Sequence, residues 1–165
     1  MQVRRKVLVA GPDDAGTVGR LLADFNAEFD SPSTGAGEFA ARFAALLRRV
    51  DVLVLLAREA GGSGTARSSG TAVGFAFVTL RPTPYWDGPL AQLEELYVVP
   101  GRRDHGIGTE MLLQAVDHVR RRGARELHIN VDEVDADARR FYERHGFICI
   151  EPDEEFRMLC YLREL

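Results

Sequence analysis

The most informative stretch of the chain is Leu93-Glu-Glu-Leu-Tyr-Val-Val-Pro-Gly-Arg-Arg-Asp-His-Gly-Ile-Gly-Thr109. Its first half predicts a strand, Pro100 ends the ladder of backbone donors, and the second half predicts the start of a helix. Free N–H groups and the positive helix end meet at such a turn, which therefore favours an anion. Gly106 and Gly108 lack a Cβ, so a diphosphate could lie against the backbone. A Gly-x-Gly pair alone is a weak signal, because many strand-to-helix turns need glycine merely to turn.

Strands and helices follow one another on both sides of this stretch. Short apolar runs predict seven strands, at Val7–Ala10, Val52–Ala57, Ala72–Leu80, Leu90–Val99, Leu127–Val131, Phe147–Ile150 and Phe156–Leu162. Apolar residues at helical spacing predict four helices, through Val18–Phe29, Phe39–Val50, Ile107–Arg122 and Asp135–Gly146. The glycine- and serine-rich segment from Ala60 to Thr71 predicts a long flexible hairpin tip. The expected fold is α/β: a mixed sheet of about seven strands flanked by about four helices on both faces.

Length and composition predict one soluble domain over residues 1–165. The chain is 45% hydrophobic and 28% charged, which is ordinary for a globular protein. A formal net charge of −4 gives no sign of a nucleic-acid partner, and no apolar run is long enough to span a membrane. We therefore expect a cytoplasmic protein. Cys149 and Cys160 have neither zinc-site spacing nor an oxidising compartment, so we expect both to be buried as small hydrophobes.

A second motif follows the first by about thirty residues and reads Ala138-Arg-Arg-Phe-Tyr-Glu-Arg-His-Gly-Phe147. Together with Arg103-x-x-Gly106-x-Gly108, it makes the chain resemble the GNAT superfamily of acyl-CoA-dependent N-acyltransferases. The core motif of that family is Arg/Gln-x-x-Gly-x-Gly/Ala after the fourth strand, and the second motif is Ala…Phe-Tyr-Glu…Gly-Phe. The resemblance is strong from about Ala91 to Ile150. It implies a centrally split sheet and acetyl-CoA as the cofactor, with acetyl rather than a longer acyl group assumed by default.

The resemblance also implies where the cofactor would bind. Main-chain groups of Leu96 and Val98 would bond to the pantetheine arm, and an N–H near Val98 would stabilise the developing oxyanion. Asp135 stands where the family usually has asparagine; it can cap the helix but cannot donate to pantetheine. The backbone amides that would surround the diphosphate are those of Arg103, Asp104, His105, Gly106, Ile107, Gly108 and Thr109. The carboxylate of Asp104 is unhelpful there unless it points to water.

Three residues are implied for catalysis. Tyr142 matches the family tyrosine whose hydroxyl can protonate the leaving thiolate; the alternative, a core aromatic on an amphipathic helix, fits the neighbouring Phe141 better. Glu94 and Glu95 lie on the fourth strand, where related enzymes often carry the base that deprotonates the amine. Strand alternation predicts that only one of the two faces the cleft, and Glu95 is the better candidate.

The acceptor is less well defined by the sequence. Asn26, Glu28 and Trp86 lie where the family usually builds its acceptor pocket, and the paired glutamates favour a small polycationic amine. Acetylation of a protein or peptide amine, or acyl-CoA sensing without transfer, are the alternatives. Family members are often homodimers, so a homodimer is possible here. The histidines lack ligand-like spacing, and we predict no metal site.

Overall fold

The first unit of the chain is built on a five-stranded sheet. The computed structural model describes residues 5–60 and 70–165, and these form two compact units that divide after His128. The strands are β1 (Arg5–Val9), β2 (Val52–Glu59), β3 (Thr71–Pro82), β4 (Pro89–Val98) and β5 (Leu127–His128). They lie in the order β1-β2-β3-β4-β5, antiparallel except for the parallel β4–β5 pair. The mixed sheet is confirmed, and most of the predicted hairpin tip, residues 61–69, lies outside the described residues.

Helices cover both faces of this sheet, as predicted. Within the described residues, the first unit has the helices α1 (Ala15–Glu28), α2 (Ala36–Leu46) and α3 (Ile107–Arg121), whereas α4 (Ala136–Glu143) belongs to the second unit. On one face, Phe75 is fully buried in a cluster with Val18 of α1 and Phe43 of α2. Successive residues of a strand point to opposite faces. The neighbouring Gly74 accordingly faces α3, where a Cβ would come within 3.0 Å of the Met111 side chain.

Residues 129–165 form the second unit, which holds α4. Asp135 caps this helix, its side chain accepting a hydrogen bond from the Ala138 N–H at 2.9 Å. The two strands predicted at Phe147–Ile150 and Phe156–Leu162 are wrong, since neither segment forms a ladder. One backbone bond joins them, from Met158 N–H to the Cys149 carbonyl at 2.8 Å. Apolar β-branched runs have strand propensity, but a strand also needs a partner for its row of donors and acceptors.

Two smaller expectations also fail near this end of the chain. Strand β5 pairs over only two residues, with Leu127 opposite Ala91 and His128 opposite Gln92, rather than extending to Val131. Both cysteines are exposed, because the segments expected to bury them as strands do not form. Of the helices in the described ranges, none has the length and apolarity needed to cross a bilayer.

Candidate active site

The turn between β4 and α3 has the geometry of an anion site. Asp104 and Gly106 adopt left-handed φ angles of 61° and 76°, and Gly106 is the N-cap of the fifteen-residue helix α3. Within the described chain, no side chain caps α3. The N–H groups of its first turn are therefore not bonded to a capping side chain and are directed out of the helix end. A Cβ on Gly106 would meet no atom within 4 Å. The turn therefore offers open space and backbone donors, which fit a diphosphate.

Three ion pairs connect this turn to other elements of the first unit. They join Arg5 to Glu110 at 2.8 Å, Arg102 to Glu59 at 2.9 Å and Arg103 to Glu28 at 2.6 Å. The partners come from β1, β2 and α1, so the turn is fixed from three directions. Each of these arginines is already balanced by a carboxylate. The backbone amides are therefore left as the main donors toward an anion.

Strand β4 presents main-chain groups along an edge beyond its short pairing with β5. The Val99 N–H bonds to the Val73 carbonyl of β3 at 3.0 Å, and successive residues of a strand direct their N–H and C=O to opposite sides. The groups of Leu96 and Val98 consequently face away from β3. In agreement, the Val98 carbonyl accepts a bond from Arg103 Nε at 3.0 Å. Both residues expected to bond pantetheine have backbone groups at this edge.

A β-bulge brings the two glutamates to the same face of the sheet. Glu95 pairs with Phe77 and Leu93 with Val78, so Glu94 is the extra residue on β4. Glu95 shares the face of its partner Phe77, and Glu94 accepts a hydrogen bond from the hydroxyl of Thr79, which lies on that face too. Simple alternation therefore does not hold between the two carboxylates, although they differ in exposure: Glu94 is exposed and Glu95 is half-buried. The bulge interrupts the alternation between them.

The environment of Glu95 suits a base that works near neutral pH. Burial, and to a lesser extent the nearby charge of Glu94, together raise the pKa of Glu95 from 4.5 to about 7. Desolvation disfavours the charged form, and a second carboxylate adds repulsion. Because a general base is most effective when its pKa lies near the working pH, Glu95 has the character expected of the base.

Tyr142 lies on α4 in the second unit. Its side chain is only 8% exposed, and its ring packs edge-on against Phe141 at 5.1 Å and Phe147 at 5.4 Å. Phe141, which the sequence suggested as the core aromatic, is the more exposed of the adjacent pair and instead contacts His145 at 4.6 Å. The ring of Tyr142 therefore contributes to packing within this unit, whatever the role of its hydroxyl.

The three predicted acceptor residues occupy different surroundings. Asn26 donates to the Leu22 carbonyl of its own helix at 2.9 Å, and Glu28 is bonded to Arg103. Trp86 donates to the Pro89 carbonyl at 3.2 Å and lines two adjoining cavities of about 430 and 640 Å³ around the β3–β4 hairpin. Those cavities lie at the start of β4, whereas the β4–α3 turn lies at its end. A strand of ten residues spans about 30 Å, so Trp86 is remote from the turn.

Sequence reasoning did not single out Tyr97. It is 4% exposed on β4, with its ring 5.4 Å from Phe25 of α1 and beneath the guanidinium of Arg103 at 5.9 Å. Burial raises the pKa of Tyr97, and the charges of Glu28 and Asp24 raise it further. The sequence signal that could have identified Tyr97 is its position directly before Val98-Val99-Pro100, which lead into the turn. Tyr97 connects the turn to the end of α1.

The fold and this site define a class of protein, in which the fourth strand of a mixed sheet leads into a turn of open backbone amides at the start of a helix. The chain belongs to the acetyltransferase (GNAT) family, whose profile matches residues 23–147. The match covers both motifs read from the sequence. It also confirms the resemblance on which the expected cofactor and site residues depend.

Several relatives are similar to parts or all of the chain. A crystal structure of an acetyltransferase from Arthrobacter sp. FB24 is 44% identical, with a TM-score of 0.85 over 100% of this chain and 98% of that one. Streptothricin acetyltransferase of Streptomyces lavendulae is 38% identical over 48% of this chain and 40% of its own length. Mycothiol acetyltransferase of Thermobispora bispora is 32% identical over 54% of this chain and 30% of its own length. The chain thus matches less than half the length of either of these two enzymes.

An aminoglycoside N-acetyltransferase in complex with CoA shares the fold more distantly. It is 17% identical, with a TM-score of 0.76 over 99% of this chain and 97% of that one. At this identity the likeness concerns the fold. The two proteins therefore share a fold.

Proposed function

We propose that the protein is an N-acetyltransferase that moves an acetyl group from acetyl-CoA to a primary amine of a small, polycationic molecule. The carrying observation is the pair Glu94 and Glu95 on one sheet face, with burial raising the pKa of Glu95 to about 7. Two adjacent carboxylates on one face attract an amine that carries more than one positive charge. Family membership supports the transfer, and the streptothricin and aminoglycoside acetyltransferases among the similar proteins support the acceptor class.

In this proposal, the first unit supplies both the binding site for acetyl-CoA and the base that deprotonates the acceptor amine. The outward amides of the β4–α3 turn bind the diphosphate, and the edge groups of Leu96 and Val98 orient the pantetheine arm. Acetyl-CoA supplies the acetyl thioester. Glu95 would take a proton from the ammonium form of the acceptor, which frees the nitrogen lone pair to form the new C–N bond to the acetyl carbon, whose bond to the CoA sulfur then breaks. The Val98 N–H, directed at the strand edge, donates toward the acyl oxygen.

The proton that completes the reaction is assigned to Tyr142 on the family motif alone. A phenol has a pKa near 10 and can protonate a thiolate whose conjugate acid has a pKa of about 8.5 only with help from the site, or as the thiolate departs. The nitrogen loses two protons in passing from ammonium ion to amide: Glu95 takes the first, and the second goes to solvent as the amide forms, while Tyr142 gives one to sulfur. Solvent then restores both groups.

A thermal-shift titration with CoA and acetyl-CoA, with ATP and NAD as controls, tests the cofactor. Ligand at about 100 times its Kd adds about 2.7 kcal/mol to the free energy of unfolding, or roughly 5–11 °C for a chain of this size. A shift with the CoA species alone supports the proposal. Release of free thiol with a panel of amines then tests transfer, comparing aminoglycosides and polyamines with peptides. Binding of CoA with no turnover on any amine would instead favour an acyl-CoA sensor.

A further inference from the structure

The end of α1 is bonded to the β4–α3 turn through Glu28 and Arg103, residues 75 positions apart. The ion pair is bidentate: Arg103 Nη1 lies 2.6 Å from Glu28 Oε1, and Arg103 Nη2 lies 2.7 Å from Glu28 Oε2. The Glu28 side chain is 25% exposed, and that of Arg103 is 40% exposed. A guanidinium that meets a carboxylate with two parallel bonds fixes direction as well as distance.

The remaining side of the guanidinium is also directed at the protein. Arg103 Nε donates to the Val98 carbonyl at 3.0 Å, and the guanidinium carbon lies 5.9 Å from the centre of the Tyr97 ring. Arg103 is thus held between α1, the end of β4 and an aromatic face. The planar guanidinium of Arg103 joins these elements through several donors in a fixed geometry. A lysine ammonium, which is a compact point charge, could not join them equally well.

The segment of α1 that this bond fixes lies over the face of the sheet that carries Glu95. Phe25, one turn before Glu28, packs against Tyr97 with ring centres 5.4 Å apart and against Phe29 at 5.1 Å. Tyr97 and Glu95 are two residues apart on β4, after the bulge, and therefore point to the same face. The last turn of α1 consequently lies on the face of the sheet that carries Glu95, packed against the neighbouring Tyr97.

We propose that Glu28 is a positioning residue, which acts through Arg103 to hold the last turn of α1 beside Glu95 and thereby sets the affinity for the acceptor amine. This inference rests on the proposed function. It replaces the sequence expectation that Glu28 touches the acceptor directly, because both of its carboxylate oxygens are bonded to Arg103. It also assigns the side chain of Arg103 to joining two elements, while its backbone amide remains part of the anion-binding turn.

The test is a double-mutant cycle of Glu28→Gln and Arg103→Gln. Glutamine at position 103 keeps the alternative residue of the family motif, so the turn should tolerate it. With acetyl-CoA saturating, each single change should raise the KM for the amine about tenfold with a smaller effect on kcat, and the double change should be no worse than either alone. Glu38→Gln, which breaks an i,i+4 surface pair with Arg42 on α2, is the matched control and should change nothing.

Two measurements without turnover complete the test. Calorimetric titration should give a CoA Kd for Glu28→Gln within about twofold of the wild type. Amide exchange over residues 25–29 of the unliganded protein should be faster by a similar factor in both single variants, and unchanged in Glu38→Gln.

The outcomes separate this inference from the proposed function. Additive effects of the two changes on KM would show that Glu28 contacts the amine itself, and unaltered exchange at the end of α1 would equally overturn the positioning role. A tenfold change in CoA Kd with normal KM for the amine would assign the pair to the cofactor instead. A wild-type protein that binds no CoA and transfers nothing would refute the proposed function, and this inference with it, whatever the variants do.

Discussion

Glu95 should determine how the rate depends on pH. Because the pKa of Glu95 is raised to about 7, kcat/KM for the amine should rise as the pH increases through that value, where the carboxylate becomes able to accept a proton. Glu95→Gln should lower kcat/KM at pH 8 by about 100-fold and remove that inflection. A full pH profile of both proteins with one amine is the measurement.

Glu94 provides the matched comparison for this prediction. Its charge contributes to the raised pKa of Glu95, so Glu94→Gln should move the inflection to lower pH and reduce the plateau less than Glu95→Gln does. A Glu95→Gln protein that keeps both its rate and an inflection near pH 7 would show that another group is the base.

Tyr142→Phe should separate chemistry from packing. The ring contacts with Phe141 and Phe147 do not need the hydroxyl, so the change should leave the thermal midpoint within a few degrees and the CoA Kd nearly unchanged. Loss of the proton donor should lower kcat by about 10- to 100-fold. Tyr161→Phe, at a tyrosine that is 89% exposed, is the control. An equal loss of CoA affinity and turnover would make Tyr142 a packing residue.

At the scale of elements, the turn before α3 depends on the backbone conformation of Gly106. Its φ of 76° is left-handed, so Gly106→Ala should lower the free energy of unfolding by about 1 kcal/mol. The added methyl group would also occupy the open space beside the outward amides, and the CoA Kd should rise about tenfold or more. Thermal unfolding and calorimetry measure the two effects.

Gly101 is the natural control, because it lies in the same turn and an added Cβ there also meets no atom within 4 Å. Gly101 is not among the glycines with positive φ, so an alanine there should cost less than about 0.5 kcal/mol. Equal CoA affinity for the Gly106→Ala and wild-type proteins would contradict the assignment of this turn to the diphosphate.

Most elements of the first unit were predictable because their signals are local, with the short strand β5 as the exception. Helix α3 begins after glycine, carries an apolar stripe and ends before Gly123, whose φ of 86° is the left-handed conformation common just after a helix. The last two strands were not predictable in the same way. Their apolar residues favour an extended backbone. Whether an extended segment becomes a strand depends on whether another segment lies beside it and forms the backbone hydrogen bonds.

The site was only partly predictable for a related reason. The motif residues of the β4–α3 turn are adjacent in sequence, so the sequence alone indicated them. The bulge at Glu94 was not visible, because alternation counts every residue once and a bulge adds one residue to a single strand. The bond from Glu28 to Arg103 joins distant positions and needs the fold to be known.

At the scale of the whole molecule, Glu95 should make stability depend on pH. Its folded-state pKa of about 7 lies above the ordinary value of 4.5, so between these values the folded protein binds more protons than the unfolded chain. Stability from this group is therefore greatest below about pH 4.5 and is lost as the pH rises toward 7. Partial exposure screens the effect, which we expect to be about 1–2 kcal/mol.

Chemical unfolding of the wild type and Glu95→Gln across this pH range is the measurement. The uncharged variant should lack this decline, so its stability relative to the wild type should improve as the pH rises from 5 to about 8. Parallel curves for the two proteins would show that Glu95 titrates normally.

The homodimer stays a prediction. Light scattering on the purified protein measures the molar mass that decides between monomer and dimer.

The three ion pairs around the β4–α3 turn have a consequence for how the protein responds to ionic strength. Arg5, Arg102 and Arg103 are each matched by a carboxylate, so the turn carries little net positive charge to act over distance. Backbone dipoles act at contact range, well inside the screening length of about 10 Å at 0.1 M salt. A cofactor held in this way should bind about equally well in dilute and concentrated salt, and its association rate should lack electrostatic steering. We therefore expect its affinity for acetyl-CoA to persist at high ionic strength, at which proteins that bind their ligand through unpaired cationic side chains lose affinity.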